Sequence, residues 1–306
     1  MINSSMNDKH DLAFIIPNYN SSYRLESIYN HIKESGCSLN YCILIQDNNS
    51  SDSSIEFLKR NKDDNVYLIN NSKNHGRVSN WNLSYANAQK IARYGIFVFT
   101  SDKLVNLKDL YIYFEKIKNT NFLMTFFPYW IVNKKKKKLA RNLVVRKVNS
   151  LQLSDELISS GNLSFGILQA NIFNLSYHLK FDTKYPFITD QLSIAQYLLT
   201  NSGSVYISRI PFVEWSVTSN RSHFNLSIVE QARQTIDLLN MLTSQINRPI
   251  DKNYSHTLNF LRILNFYRNN YKFKTFEFIQ LLKYGFKEFK HLSFKSLFEI
   301  LFNVKR

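Results

Sequence analysis

Four short apolar runs, each closed by a polar and turn-prone loop, occupy the first hundred residues. They are LAFIIP (12–17), YCILIQ (41–46), VYLI (66–69) and GIFVF (95–99). Runs of this length between turn residues read as strands buried on both faces. Between them lie stretches with helical spacing: 23–35, where Leu25, Ile28, Tyr29 and Ile32 share a face, then Ser54–Arg60, then Val78 to about Tyr94. Strand and helix in alternation predict an α/β fold with a mostly parallel central sheet flanked by helices. In such a sheet the loops after the strands gather at one edge, where ligand-binding groups collect. Here those loops are PNYNSS, QDNNSSD, NSKNHGR and TSDK.

Several classes are excluded at once. No loop reads GxGxxG or GxxxxGK[ST], so neither a dinucleotide fingerprint nor a phosphate loop is present. With 7 Gly and 5 Pro in 306 residues, collagen-like and Pro-rich architectures are ruled out. Cys37 and Cys42 fit neither a paired zinc motif nor a disulfide framework and read as reduced thiols. The first residues, MINSSMNDKHDL, lack an apolar signal core. The most apolar stretch, Phe122–Val132, is interrupted by Pro128 and falls short of the roughly 20 residues of a membrane span. The expectation is a cytoplasmic protein whose membrane contact, if any, is peripheral.

The middle is less regular. One or two strands are expected over 120–132, a short helix over 150–160, a loop and strand over 162–173, a helix over 187–200 opening near Asp190, and a strand over 203–215 ending at Trp215. Lys134–Lys138 is a run of five lysines continued by Arg141, Arg146 and Lys147; the five lysines read as a solvated hairpin or loop, or as a contact to the membrane or an anionic acceptor. From about Ser227 the pattern is helical almost to the end, with lysines interleaved among Phe, Leu and Ile.

The order of these loops resembles the family 2 glycosyltransferases with the GT-A fold. FIIPNYN is similar to that family's first strand and Pro-x-Tyr-Asn turn. ILIQDNNSSD is similar to its second strand and Asp-led turn, and Asn74-His75-Gly76-Arg77 with Asn80 and Asn82 to its N-x-G…N segment. FVFTSDK stands where the family carries its DxD element, YPFITDQLSIAQYLL where it carries a catalytic carboxylate before a helix, and Asn220-Arg221-Ser222-His223 at its late Arg-x-His segment. The likeness spans roughly residues 12–225. Two departures stand out. Thr100-Ser101-Asp102-Lys103 keeps one acid of the usual pair, and Thr189-Asp190 likewise has a single carboxylate.

The resemblance implies a residue-by-residue assignment. Asp190 is the general base that deprotonates the acceptor hydroxyl, a role that inverts the anomeric centre. As a residue at a helix start it also reads as a cap, with a lowered pKa that keeps it ionised. Asp102 is the metal ligand and His223 a second one, for Mn2+ or Mg2+. A single carboxylate is compatible with magnesium, whose shell is completed by substrate phosphates and water. Pro17, Tyr19 and Asn20 line the nucleotide. Asp47 either recognises the base or serves as an Asx-turn residue. Asn74, Arg77, Asn80, Ser101 and Arg221 complete the nucleotide-sugar site, the arginines as phosphate clamps.

The formal charge of +16 suits nucleic acid, an anionic membrane or an acidic substrate. No zinc spacing or RNA-binding motif supports nucleic acid, whereas the basic, aromatic-rich tail suits the cytoplasmic face of an anionic inner membrane or a packed helical cap. The expected organisation is a glycosyltransferase domain over 1–225, with a nucleotide-sugar half of about 1–103 and an acceptor half of about 104–225, followed by a basic helical C-terminal region over 226–306. The expected reaction moves one sugar from a nucleotide-sugar, a UDP-sugar favoured, to a glycan or lipid-linked glycan in bacterial surface polysaccharide synthesis. The alternative is a membrane-associated interaction protein that kept the fold and lost the metal site.

Overall fold

A computed structural model describes residues 9–36, 38–61, 63–133, 136–141, 143–159, 165–216 and 227–245. The chain forms two compact units. The first takes in described residues 9–153, 166–184 and 189–216; the second takes in 154–159, 165, 185–188 and 227–245.

The first unit begins with the expected alternation: β1 (His10–Asn18), α1 (Ser22–Glu34), β2 (Tyr41–Asp47), α2 (Ser54–Arg60), β3 (Val66–Asn70), α3 (Arg77–Ile91) and β4 (Ala92–Phe97). β1 pairs in parallel with β2, Leu12 opposite Tyr41 through Asn18 opposite Asp47, and with β4, His10 opposite Ala92 through Ile15 opposite Phe97. β3 extends the sheet beyond β2. Leu12 to Ile16 are fully buried, as are Ile43 to Ile45, which explains why these strands show no polar alternation. α1 buries Leu25, Ile28, Tyr29 and Ile32, the face its spacing predicts. One boundary differs from the sequence expectation. α3 ends at Ile91, and Ala92–Tyr94 belong to β4, because the ladder with β1 already starts at His10 and draws these residues into extended backbone.

The remaining strands are β5 (Lys103–Leu104), β6 (Met124–Phe126), β7 (Tyr129–Asn133), β8 (Lys136–Ala140), β9 (Arg146–Asn149), β10 (Phe173–Asn174), β11 (Ser204–Ile207) and β12 (Val213–Ser216). The helices are α4 (Leu107–Ile117), α5 (Ser150–Ser159), α6 (Thr189–Thr200) and α7 (Ile228–Thr243). The large sheet runs β3-β2-β1-β4-β10-β6-β11-β9, and a second sheet runs β5-β12-β7-β8. β10 is antiparallel to both β4 and β6, so the parallel block ends at β4. The strand expected over 203–215 is in fact two strands in different sheets. Pro211 lies in the break, where a residue without N–H cannot continue a ladder.

The lysine run is a hairpin, as its solvated character suggests. β7 and β8 pair antiparallel and Lys136–Lys138 are exposed; Lys134 and Lys135 lie outside the described residues. Lys137 pairs with Glu214 at 2.6 Å and lies over the Trp130 ring. Arg141 departs from this reading and is buried. Cys42 is a free, buried thiol, pushed up to about 12 by desolvation. Among the described residues no helix is long and apolar enough to cross a membrane.

In the second unit α7 opens on Ser227, whose hydroxyl accepts from the Glu230 backbone N–H. Gln234 of α7 accepts from the Phe187 N–H at 3.1 Å. The basic segment beyond residue 245, to which the membrane expectation was tied, lies outside the described residues.

At the start of β11, Gly203 is in close approach to β6: a Cβ there would lie 2.9 Å from Leu123 Cβ, an atom with little freedom to retreat. Gly203→Ala is expected to cost about 1–3 kcal/mol through overpacking, measured as a lowered urea midpoint with unchanged slope.

Candidate functional site

The parallel strands β1 to β4 release their loops at one edge. Pro17 is half-buried, whereas Tyr19 and Asn20 are exposed on the loop after β1. Asn20 has φ 46° and accepts from the Ser51 N–H at 2.8 Å, which ties this loop to the one after β2. Asp47 closes β2 with no exposed surface. Its carboxylate accepts from Asn18 Nδ2 (2.7 Å), Ser50 Oγ (2.6 Å) and the Ser50 N–H (2.8 Å). It thus holds the two loops together from below, and its Asx-turn character is evident.

Beneath these loops runs a chain of buried amides. Gln46 donates to Asn71, and Asn71 donates to both Asn48 and Asn80 (2.7–3.0 Å). Asn80 Nδ2 returns to the Gln46 carbonyl at 3.1 Å, and Asn48 donates to Asn74 at 2.8 Å. Asn74 in turn accepts from the Gly76 N–H and so shapes the entry to α3. Of the three asparagines expected at the nucleotide-sugar, Asn20 is exposed on the loop after β1, Asn80 is buried in this chain and Asn74 is exposed at its end. Gln46, Asn48 and Asn71 are not singled out by motif. In a chain this rich in Asn, the signal that would mark them is only their repetition at successive strand ends.

Arg77, the first residue of α3, is exposed and lies 4.9 Å over the Trp81 ring, which stacks on Phe99 at 4.8 Å. Beyond β4, Ser101 is exposed and Asp102 half-buried. Asp102 Oδ2 accepts from Nε2 of Gln169, a buried residue in the 3-10 turn Leu168–Ala170. Ser101 and Asp102 line a cleft of about 310 Å³ with Tyr23, Arg24, His31 and Ser216. A larger cleft of about 550 Å³ lies at the opposite, amino ends of the strands, lined by Lys9, Asp11 and Arg93 among others. The polar loops do not reach it; of these two clefts the smaller is the one lined by candidate residues, Ser101 and Asp102.

Asp190 stands in the first turn of α6, which opens at Thr189. Its Oδ1 accepts from the adjacent Gln191 N–H at 2.9 Å. The expected lowering of its pKa is corrected by the structure. Burial pushes the carboxyl up to about 6, against the opposing Gln191 N–H and the positive charges of Arg77 and Arg141. Desolvation wins because the side chain is half-buried in a packed wall, where one N–H and two guanidinium groups at a distance recover less than water would. The structure thus brings Arg77 and Asp190 within electrostatic reach of each other, though they are 113 positions apart in sequence. Arg221 and His223 lie outside the described residues.

The donor set offers a divalent cation one carboxylate, Asp102. No group of three His, Cys, Asp or Glu able to hold a metal occurs among the described residues. One carboxylate on a loop at a cleft fits a magnesium-type site completed by the ligand's own phosphates.

A parallel β1–β4 block continued by antiparallel β10 into a large sheet flanked by helices is a mixed α/β architecture of the GT-A kind. The glycosyl transferase family 2 model matches residues 13–178, more than half of the chain, and the chain belongs to that family and is a glycosyltransferase. Among solved structures, Staphylococcus aureus TarS 1-349 in complex with UDP aligns with a TM-score of 0.61 at 15% identity, over 94% of this chain and 77% of that one. TarS 1-349 in complex with UDP-GlcNAc aligns equally well, at 0.61 and 14% over 96% and 79%. The mannosyltransferase PcManGT from Pyrobaculum calidifontis, in complex with GDP-Man and Mn2+, gives 0.55 at 9% over 97% and 88%. At these identities the likeness is one of fold. No curated relative matches the sequence.

The raised carboxyl of Asp190 has a consequence for stability. The fold prefers the protonated form, so its contribution is intact below pH 4 and lost as pH rises through about 6. Above that, the ionised group costs about 3 kcal/mol. Asp190→Asn should therefore raise the urea midpoint at pH 8 and leave it unchanged at pH 4.

Proposed function

We propose that this glycosyltransferase moves a single sugar from a nucleoside diphosphate donor, a UDP-sugar in the first instance, with inversion at the anomeric carbon. The observation that carries the reading is Asp190: a carboxylate at a helix head, half-buried, with a pKa of about 6 and two arginines in electrostatic reach. A general base works best when its pKa lies near the working pH, because it is then mostly ionised and still a strong acceptor. Asp190 takes the proton from the acceptor hydroxyl as oxygen attacks the anomeric carbon. The bond from that carbon to the diphosphate oxygen breaks on the opposite face, so configuration inverts.

Negative charge grows on the leaving diphosphate. Arg77, exposed at the first turn of α3, supplies a guanidinium and the positive end of a helix for it. Pro17, Tyr19 and Asn20 form the wall for the nucleoside over the floor that Asp47 and the buried amides hold rigid. Asn74 and Ser101 complete the rim of the same site, and Asn80 supports it from within the buried amide chain. Asp102 would hold a divalent cation, Mn2+ or Mg2+, which when bound neutralises diphosphate charge. Arg221 and His223 are assigned to the same phosphate and metal groups on the family resemblance. The acceptor is proposed to be a glycan or lipid-linked glycan of a bacterial surface polysaccharide, met at the anionic cytoplasmic face of the membrane. The net charge of +16 supports that placement. The catalytic domain is proposed to extend to about residue 225, with the basic tail beyond it.

A thermal-shift panel of UDP, GDP, CMP and dTDP with their sugar conjugates, with and without Mn2+ or Mg2+, tests the donor class. One nucleotide is expected to raise the melting temperature, and more so with metal; Asp102→Ala should remove the metal-dependent part. Equal shifts with and without EDTA would overturn the metal assignment. Asp190→Asn should cut turnover at least a thousandfold while nucleotide binding holds within about threefold. Near-normal turnover would mean another base.

A further inference from the structure

Arg141 follows β8 and is 7% exposed, with left-handed backbone at φ 55°. Its Nη1 donates to the carbonyls of Phe127 (3.4 Å) and Ala170 (3.0 Å) and to Asn171 Oδ1 (2.7 Å). The guanidinium carbon lies 4.4 Å from the Phe126 ring centroid and 5.8 Å from that of Tyr129. On another side is Gly166, at φ 73°, where an added Cβ would lie 1.8 Å from Nη2 and 2.3 Å from Cζ. No other residue at 166 leaves room for the guanidinium. The seat is thus built by two positions far apart in sequence, one supplying the cation and the other its space.

Filling this volume with an apolar side chain would avoid the cost of burying a charge, so the placement of the cation calls for a reason. Two of its acceptors belong to the turn Leu168–Ala170 and the residue after it. In that turn Gln169 donates to Asp102, and α6, which carries Asp190, packs against the same turn. The charged and titratable groups facing Asp190 are Arg77 from α3, Arg141 from the end of β8 and Tyr129 from β7.

We propose that Arg141, seated against Gly166, is a positioning residue of the transfer site. It fixes the turn through which Gln169 orients Asp102, and it supplies a positive charge that faces Asp190. The proposal rests on the reading of Asp190 as base and Asp102 as donor-site carboxylate.

The test uses the full chain with Arg141→Met, Arg141→Lys or Gly166→Ala, each with and without Asp190→Asn. The first readout needs no substrate: the change in melting temperature caused by Asp190→Asn, followed from pH 4 to 9. The pH at which that difference levels off reports the titration of Asp190 in the folded protein, whereas its onset near pH 4 is set by the unfolded chain. The levelling-off pH is expected to move up by about one unit in Arg141→Met and Gly166→Ala, and to stay near the wild-type position in Arg141→Lys, which keeps the charge. The second readout is kcat/KM against pH with the donor found by thermal shift. Its acid limb should move in parallel, a loss of about fivefold at pH 6 and less than twofold above pH 8.5. An unmoved levelling-off pH, with activity lowered equally at every pH, would overturn the proposal and leave Arg141 as packing. Should Arg141→Met fail to fold, Gly166→Ala and Arg141→Lys form the comparison. If Asp190→Asn keeps its transfer activity while the levelling-off pH still moves, the base reading fails and the coupling to Arg141 stands.

Discussion

The pairing of β1 with β2 on one side and β4 on the other is the constraint on which the rest depends. A strand hydrogen-bonded along both edges and covered on both faces has no freedom of register. Every loop that leaves this block at its carboxyl edge therefore starts from a fixed point. Asp47 and Asn20 then need only short contacts to knit the first two loops together. The amides from Gln46 to Asn74 continue the same order outward, each one satisfying the next. A buried polar chain of this kind is stable only when complete, so it acts as a rigid floor and not as a set of interchangeable contacts.

The protonation of Asp190 is set by a balance. Burial alone would push its carboxyl further up, and the Gln191 N–H, then the charges of Arg77 and Arg141, hold it to about 6. Neither arginine is near it in sequence: one heads α3, the other follows the lysine hairpin. The carboxyl is tuned by a convergence of three separate parts of the chain, and its proton affinity is a property of the fold.

The expectations that hold are those that rest on local signals. β1 to β3 and α2 are legible because polar loops bracket them and their burial leaves only apolar residues inside. The extent of α3 is not, because Ala92–Tyr94 suit a helix as well as a strand and only the ladder with β1 decides. The two strands within 203–215 are disguised as one because the chain changes sheets in mid-segment, with Pro211 the sole local hint. Asp190 is singled out by the family resemblance, yet the direction of its shift reverses the cap argument, since a cap effect is local and desolvation comes from packing. Arg141 is hidden by its company: five lysines precede it, and nothing in that neighbourhood separates a buried cation from solvated ones. Gln169 carries no motif and is visible only once the turn holding it is folded against Asp102.

The second sheet ends at β8, whose outer edge has no partner strand among the described residues. That edge is a row of exposed lysines. An unpaired strand is a template on which another chain can add, and closely spaced like charges make such addition repulsive. The lysine hairpin is thus a safeguard against intermolecular sheet growth, placed where a small sheet would otherwise stay open to aggregation.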